Sequence, residues 1–184
     1  QPMIRIISGK YRGKRIMAPK NLPVRPTTDM AKESLFNILN NHFYFDELKA
    51  LDLFSGTGNI SYELASRGCT DIIAVDSSKL CVRFIDKTSE VLQTDGLFPV
   101  LSDVFTFLDR DFNTYDLIFA DPPYDFEYYD KLVDKIFLKK MVREDGLLVI
   151  EHQSRSDLSE LPYFQSSRKY GNVRFSFFGP EENE

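Results

Sequence analysis

Apolar runs of strand length alternate with helical segments along most of this sequence, and nearly every run stops at an acid. Ala50-Leu51-Asp52-Leu53-Phe54 carries its acid inside and is closed by Gly56 and Gly58. Ile72-Ile73-Ala74-Val75 ends in Asp76, and Pro99-Val100-Leu101 leads to Asp103. Tyr115 to Ala120 ends in Asp121, and Leu147-Leu148-Val149-Ile150 ends in Glu151. The stretches between predict helices over 59–67, 78–94, 104–110 and 127–142, with Gly68 placed to stop the first. The runs are continuous rather than alternating, so both their faces are covered. That predicts a mostly parallel α/β sheet with helices on both sides. Runs at 166–170 and 173–178 flank Gly171-Asn172 and read as a closing hairpin, which brings the count to seven strands.

The N-terminal part has another character. Runs at 3–8 and 14–18 enclose Gly9-Lys10-Tyr11-Arg12-Gly13, a β-hairpin with a basic tip. A connector with Pro19, Pro23 and Pro26 follows, then a helix over 29–41 capped by Thr28 or Asp29. The chain thus divides into a hairpin and connector, 3–28, and a larger domain, 29–180. Met3, preceded by Gln1 and Pro2, reads as the natural first residue. Residues 1–34 hold eight basic side chains against two acids, a local charge of +6 in a chain whose total is −5. A basic head on an acidic body points to a polyanionic partner at one end, or else to a solvated arm.

Several classes of function are excluded. No apolar run approaches the roughly 20 residues that span a bilayer. Cys69 and Cys81 have no CxxC spacing and read as reduced core thiols of a cytoplasmic protein. His42 and His152 show no ligand spacing, so no metal site is expected. Gly9 to Lys14 imitates a phosphate loop, but it is one residue short, and Arg15 stands where Ser or Thr would meet magnesium. No Gly-x-Ser-x-Gly elbow is present.

In an open α/β sheet, ligands bind beyond the carboxyl ends of the strands, where Asp52, Gly56, Gly58, Asp76, Asp103 and Asp121 all fall. The Gly-Thr-Gly turn lets backbone approach a ligand, and Asp76 is placed to accept from ribose hydroxyls. That combination predicts a nucleoside-containing cofactor. Ser61 occupies the third glycine position of a dinucleotide fingerprint, which argues against NAD or FAD. Asp121-Pro122-Pro123-Tyr124 is the sharpest signal. Two prolines stiffen the turn, so the Asp121 carboxylate and the Pro122 carbonyl converge as acceptors for an exocyclic NH₂. Tyr124 offers a face on which a base stacks.

These residues together resemble the class I S-adenosylmethionine-dependent methyltransferases, with their Rossmann-like fold. More narrowly they resemble the RsmD-like family of 16S ribosomal RNA guanine-N2 methyltransferases. The stretches that carry the resemblance are Arg5 to Gly13, Arg25-Pro26-Thr27-Thr28 with Glu33, Leu35 and Phe36, Leu51 to Gly58 with Ser66-Arg67-Gly68, and Asp121 to Tyr124. It implies that Asp52, Gly56 and Gly58 cradle the methionine part of the cofactor. Asp76 would hold the ribose and Asp103 the adenine amino group, with Arg25 and Thr27 beside the pocket. Asp121, Pro122 and Tyr124 would grip the guanine, numbered 966 in that RNA. Lys10, Tyr11, Arg12, Lys14 and Arg15 would clamp RNA within a small subunit that is assembled or partly assembled, with adjacent ribosomal proteins assisting a monomeric enzyme. The sequence departs from the family at Ser55, usually Ala, at Asp76, often Glu, and over 59–62, where Ala-Leu-Gly is usual. Two other readings stay open: a DNA adenine-N6 methyltransferase, and a non-catalytic RNA-binding assembly factor that kept the fold.

Overall fold

The computed structural model describes residues 3–22 and 27–180. Its main sheet holds the strands β3 (Ala50–Leu53), β4 (Ile72–Asp76), β5 (Leu97–Leu101), β6 (Tyr115–Ala120), β7 (Val142–Gln153), β8 (Phe164–Tyr170) and β9 (Val173–Phe178). They lie in the order β5-β4-β3-β6-β7-β9-β8. The first five are parallel to one another, and β9 runs antiparallel to both β7 and β8. A separate antiparallel pair, β1 (Met3–Arg5) and β2 (Arg15–Met17), forms the N-terminal hairpin, with Ile4 opposite Ile16. Helices α1 (Asp29–Asn40), α2 (Asn59–Ser66), α3 (Lys79–Leu92), α4 (Val104–Arg110) and α5 (Tyr129–Leu138) complete the fold. The Thr28 hydroxyl caps α1 by accepting from the Ala31 N–H, as the sequence predicts.

Successive strand residues point to opposite faces of a sheet, and here both faces are apolar. Leu117, Phe119, Leu147 and Val149 pack with residues of α1, α2 and α3 on one side. Ile118, Ala120, Leu148 and Ile150 pack with α4 and α5 on the other. The continuous apolar runs therefore carry the meaning read from them. Cys69 and Cys81 are both buried free thiols. Among the described residues, no helix is long and apolar enough to cross a membrane.

Two boundaries differ most from expectation. α5 stops at Leu138 instead of running to 142, because Lys140 turns left-handed (φ 53°) and the Met141 N–H closes back on the Ile136 carbonyl. β7 then begins at Val142, well before the apolar run at Leu147, and its pairing with β6 slips between Tyr115 and Leu117. Gly146 permits this, since a Cβ there would stand 2.6 Å from the Asp116 carbonyl oxygen. Polar residues inside a strand hide it from a search for apolar runs.

The hairpin is not a loose arm. Ile4, Ile6 and Tyr11 belong to the same core cluster as α1 and α2. Glu63, fully buried on α2, accepts from the Ile7 and Ser8 backbone N–H groups through its two oxygens. It also pairs with Arg67 at 2.9 Å and with buried Lys32 of α1 at 3.3 Å. Burial pushes the Lys32 ammonium toward its neutral form, and the Glu63 carboxylate opposes that shift. Lys32 further donates to the Arg5 carbonyl and the Asn59 side chain. One carboxylate thus ties the hairpin, α1 and α2 together. Removing one partner of a buried pair strands the other charge, which costs about 3–5 kcal/mol. Glu63→Ala is expected to lose that much stability in urea titrations and to open residues 3–18 to protease; unchanged unfolding and unchanged cleavage would contradict the role assigned to Glu63.

Candidate functional site

The chain leaves β3 toward β4 on one side and later places β6 on the other, so β3 and β6 flank the point where the strand order reverses. Open α/β sheets bind ligands at that crevice. Leu53 of β3 pairs in register with Ala120 of β6, and the Asp121 N–H reaches the Leu53 carbonyl at 3.3 Å. The glycine turn after β3 and the proline turn after β6 therefore leave the sheet side by side. Ala120 is paired on its other side with Ile150, which puts Glu151 next to Asp121.

The glycine turn is held firmly. Phe54 (φ 55°), Gly56 (φ 56°) and Gly58 (φ 86°) all adopt left-handed backbone. Ser55 donates through both its N–H and its hydroxyl to the Val75 carbonyl. The Asp76 carboxylate accepts from the Gly56 N–H at 2.9 Å with one oxygen and from the Ser78 N–H at 2.8 Å with the other. A carboxylate offers about four lone-pair sites, so Asp76 shapes the turn and keeps acceptor capacity for a ligand. A Cβ at Gly58 would stand 2.6 Å from the Tyr62 ring, so no larger residue fits.

Asp52 lies beneath this turn and is 1% exposed. Burial pushes its carboxyl up to about 7; neighbouring Asp76 and Glu151 add to the shift, while a 2.6 Å hydrogen bond from Ser61 opposes it. Asp52, Asp76 and Glu151 thus gather three acidic side chains at one sheet end. The unusual residues at 59–62 take part in it. Ser61 holds Asp52, and Asn59 accepts from Lys32 while donating to the Thr27 carbonyl. Thr27 in turn donates its hydroxyl to Glu151 at 2.6 Å. Thr27 is therefore at the site, whereas Arg25 lies outside the described residues. Asp103 is exposed and caps α4, accepting from the Thr106 N–H and hydroxyl through one oxygen. It sits two residues past Leu101, the β5 partner of Asp76.

In the proline turn, Asp121 is half-buried, Pro122 buried, and Tyr124 75% exposed. Phe126 anchors the turn from behind: its ring meets Phe54 edge-on at 5.4 Å, Tyr129 at 5.0 Å, and stacks on Phe105 at 6.2 Å. Gln153, at the end of β7, donates its amide to the Tyr124 carbonyl at 3.3 Å. A pocket of about 300 Å³ opens here between Tyr124, Phe126, Tyr129, Gln153 and Arg155. Burial, and then the charge of Asp121, raise the Tyr129 phenol above its usual range. Glu151, Asn59 and Tyr129 were not legible as site residues. The acid closing the fifth run was visible, but nothing in the sequence tied it to Thr27.

The basic residues divide. Lys10 and Arg12 are exposed at the hairpin tip. The tip is fixed where the Lys10 N–H meets the Ser66 carbonyl and the Tyr11 hydroxyl meets the Gln93 carbonyl, at the C-terminal ends of α2 and α3. Those helix ends lie at the opposite end of the sheet from Asp121. Tyr11 itself is 6% exposed and its ring is core. It is not available to stack on a base, which corrects the place expected for it among RNA-binding residues; its basic neighbours disguised an anchor. Lys14 and Arg15 line a groove of about 550 Å³ between β2 and α3, joined by Arg83 and Lys87, which charge counting in the first 34 residues missed.

The model of a protein family described as conserved hypothetical protein 95 matches residues 4–179. Bacillus subtilis YlbH, named as a candidate rRNA methyltransferase, is 32% identical over 162 residues, 85% of this chain and 86% of that protein. Escherichia coli ribosomal RNA small subunit methyltransferase D is 25% identical over 159 residues, 86% and 79% of the two chains. The solved structure of the E. coli protein yhhF superposes with a TM-score of 0.84 at 24% identity, covering 96% of this chain and 97% of that one. A further fold relative, SMU.776, was solved with S-adenosylhomocysteine (SAH); its TM-score is 0.67 at 18% identity over 82% of this chain and 49% of its own.

The Asp52 carboxyl is raised in the folded state above its ordinary value of 3.8. The fold then binds its proton more tightly than the unfolded chain does, so this group's contribution to stability is present at low pH and is lost as pH rises toward about 7. Asp52→Asn is expected to flatten the fall in urea-unfolding free energy between about pH 4 and 7; an identical fall in both proteins would show that the fold does not raise the Asp52 carboxyl.

Proposed function

We propose, since this chain belongs to the conserved hypothetical protein 95 family, that it transfers a methyl group from S-adenosylmethionine to the exocyclic N2 of a guanine in small-subunit ribosomal RNA. The observation that carries the reading is the pairing of β3 with β6, which sets the glycine turn and the Asp121 turn at neighbouring strand ends. The names of the relatives agree with an RNA substrate of that kind.

The residues fit a cationic nucleoside cofactor. The carboxylates Asp52, Asp76 and Glu151 favour positive charge, the Gly56–Gly58 backbone permits close approach, and Asp76 retains acceptor capacity for ribose hydroxyls. Asp103, exposed beside the end of β4, would accept from the adenine amino group. Thr27 closes the side next to Glu151. Bound there, S-adenosylmethionine supplies a methyl carbon already activated by its sulfonium. What remains for the protein is alignment and exclusion of water, which together supply several kcal/mol.

Asp121 and the Pro122 carbonyl accept the two hydrogens of the base amino group and so aim its lone pair at the cofactor. The Asp121 carboxylate would receive the proton released as the N–C bond forms and the methyl C–S bond breaks, the electron pair staying on sulfur in the departing S-adenosylhomocysteine. Tyr124 supplies a stacking face worth roughly 1–3 kcal/mol. Exposed Lys10, Arg12, Lys14 and Arg15, together with Arg83 and Lys87, neutralise phosphates of a particle large enough to reach from the hairpin to the proline turn. A partly assembled small subunit, with its own proteins nearby, has that size. The reaction belongs to the cytoplasm, where such particles are built.

Asp121→Ala is expected to abolish methyl incorporation into small-subunit particles while calorimetry still detects S-adenosylmethionine. Retained turnover would remove Asp121 from the chemistry, and preference for duplex DNA over particles would redirect the reading to adenine. Reversing Lys10, Arg12 and Lys14 to Glu is expected to flatten the salt dependence of RNA binding, by about 0.7–0.9 in log–log slope per lost phosphate contact. An unchanged slope would leave the hairpin a structural element only.

A further inference from the structure

The pocket beside Tyr124 has a wall that the transfer chemistry does not use. Arg155 lines it, just past the end of β7, and its side chain is fixed from one edge: Nε donates to the Gln153 side-chain oxygen at 2.8 Å. Gln153 uses its own amide group on the Tyr124 carbonyl at 3.3 Å. A chain of two hydrogen bonds thus couples the guanidinium to the turn that ends in Tyr124. Nε is spent on Gln153, so the two Nη groups at the far end of the fork remain for a ligand. Phe126 and Tyr129 give the pocket aromatic walls among polar neighbours that include Asp125 and Glu127, and its volume of about 300 Å³ is at the lower end of small-ligand sites.

A purine held by its amino group at the proline turn would leave its other edge to be read by residues of the neighbouring pocket. The two purines differ there. Guanine offers two acceptors, O6 and N7, which match the paired donors of an arginine fork; adenine, held by N6 at the turn, has no carbonyl to offer. We propose that Arg155 is the residue that selects guanine, its Nη donors meeting O6 and N7 of the target base while Asp121 holds N2. This rests on the guanine-N2 reading above and extends it to recognition. Gln153 acts as a positioning residue, holding the fork in the plane of a base stacked on Tyr124.

Arg155 is exposed, so Arg155→Met is expected to leave the fold intact; unchanged thermal unfolding and unchanged S-adenosylmethionine affinity by calorimetry verify that. The decisive experiment compares three small-subunit particles whose target base is guanine, 2-aminopurine, which keeps N2 but lacks O6, or 7-deazaguanine, which lacks N7. With the natural protein, loss of O6 or N7 is expected to lower the single-turnover methylation rate. Loss of both contacts together corresponds to about 5- to 150-fold, the worth of one bidentate arginine–guanine pair. With Arg155→Met, the guanine rate falls to near that of 2-aminopurine and the three substrates converge. Arg155→Lys, which keeps charge but not the fork, recovers only part of the selectivity. A loss of equal size on all three substrates would overturn the proposal and reduce Arg155 to a phosphate or loop contact. If the natural protein methylates none of them, the guanine-N2 reading fails first, and this proposal with it.

Discussion

The backbone ladder between β3 and β6 is the constraint on which the site depends. Parallel neighbours lie about 4.8 Å apart, so the in-register pairing of Leu53 with Ala120 fixes how far apart their following residues begin. Everything chemical is hung from that pair. The glycine turn continues one strand and is closed onto Asp76; the proline turn continues the other and is tied to β7 through Gln153. A slip of one residue would invert the faces of β6, burying Ile118 and Ala120 among α1–α3 and carrying Asp121 out of line with the glycine turn. Both faces are apolar, so what opposes the slip is the fit of particular side chains, Phe119 on one face and Ile118 on the other, rather than an apolar–polar pattern.

A second layer of constraint is electrostatic. The site gathers Asp52, Asp76 and Glu151, and the cost of holding them together shows in the Asp52 carboxyl, which burial and its neighbours push up to about 7. Among the described residues, Lys32 and Arg67 are committed to Glu63 and the hairpin. A cluster of acids at the ligand-binding end of the sheet suits the cationic methyl donor proposed above. The same hydrogen-bonded chain, from Arg5 through Lys32 and Asn59 to Thr27 and Glu151, joins the hairpin to the site. The N-terminal segment is thus structurally continuous with the chemistry, although its charged tip lies at the other end of the sheet.

Much of this was legible in the residues. Continuous apolar runs ending in acids announced a parallel sheet and pointed to its ligand-binding end, and the stiffness of Asp121-Pro122-Pro123-Tyr124 singled out the turn that the proposed chemistry uses. What was hidden shares one physical cause: side chains that act through tertiary partners leave no local pattern. Glu151 needs Thr27 from far away in sequence, Ser61 looked like a missing glycine until it was found on Asp52, and nothing local sets Glu63 and Lys32 apart from ordinary helix charges. Tyr11 failed in the opposite direction, its basic neighbours suggesting a contact surface while its ring filled the core. β7 was shortened in the reading because Arg143, Glu144 and Asp145 interrupt its apolar content, yet Gly146 lets the backbone continue.

The central claim is that the glycine turn and the Asp121 turn serve one reacting centre. A crystal structure of the protein soaked with S-adenosylhomocysteine tests it most directly. The account predicts the nucleoside lying along Gly56 and Gly58 with its ribose on Asp76, and the sulfur facing the Asp121 carboxylate with no side chain between them. A ligand seated elsewhere, such as the groove between β2 and α3, or a sulfur turned away from Asp121 behind Phe54, would contradict it.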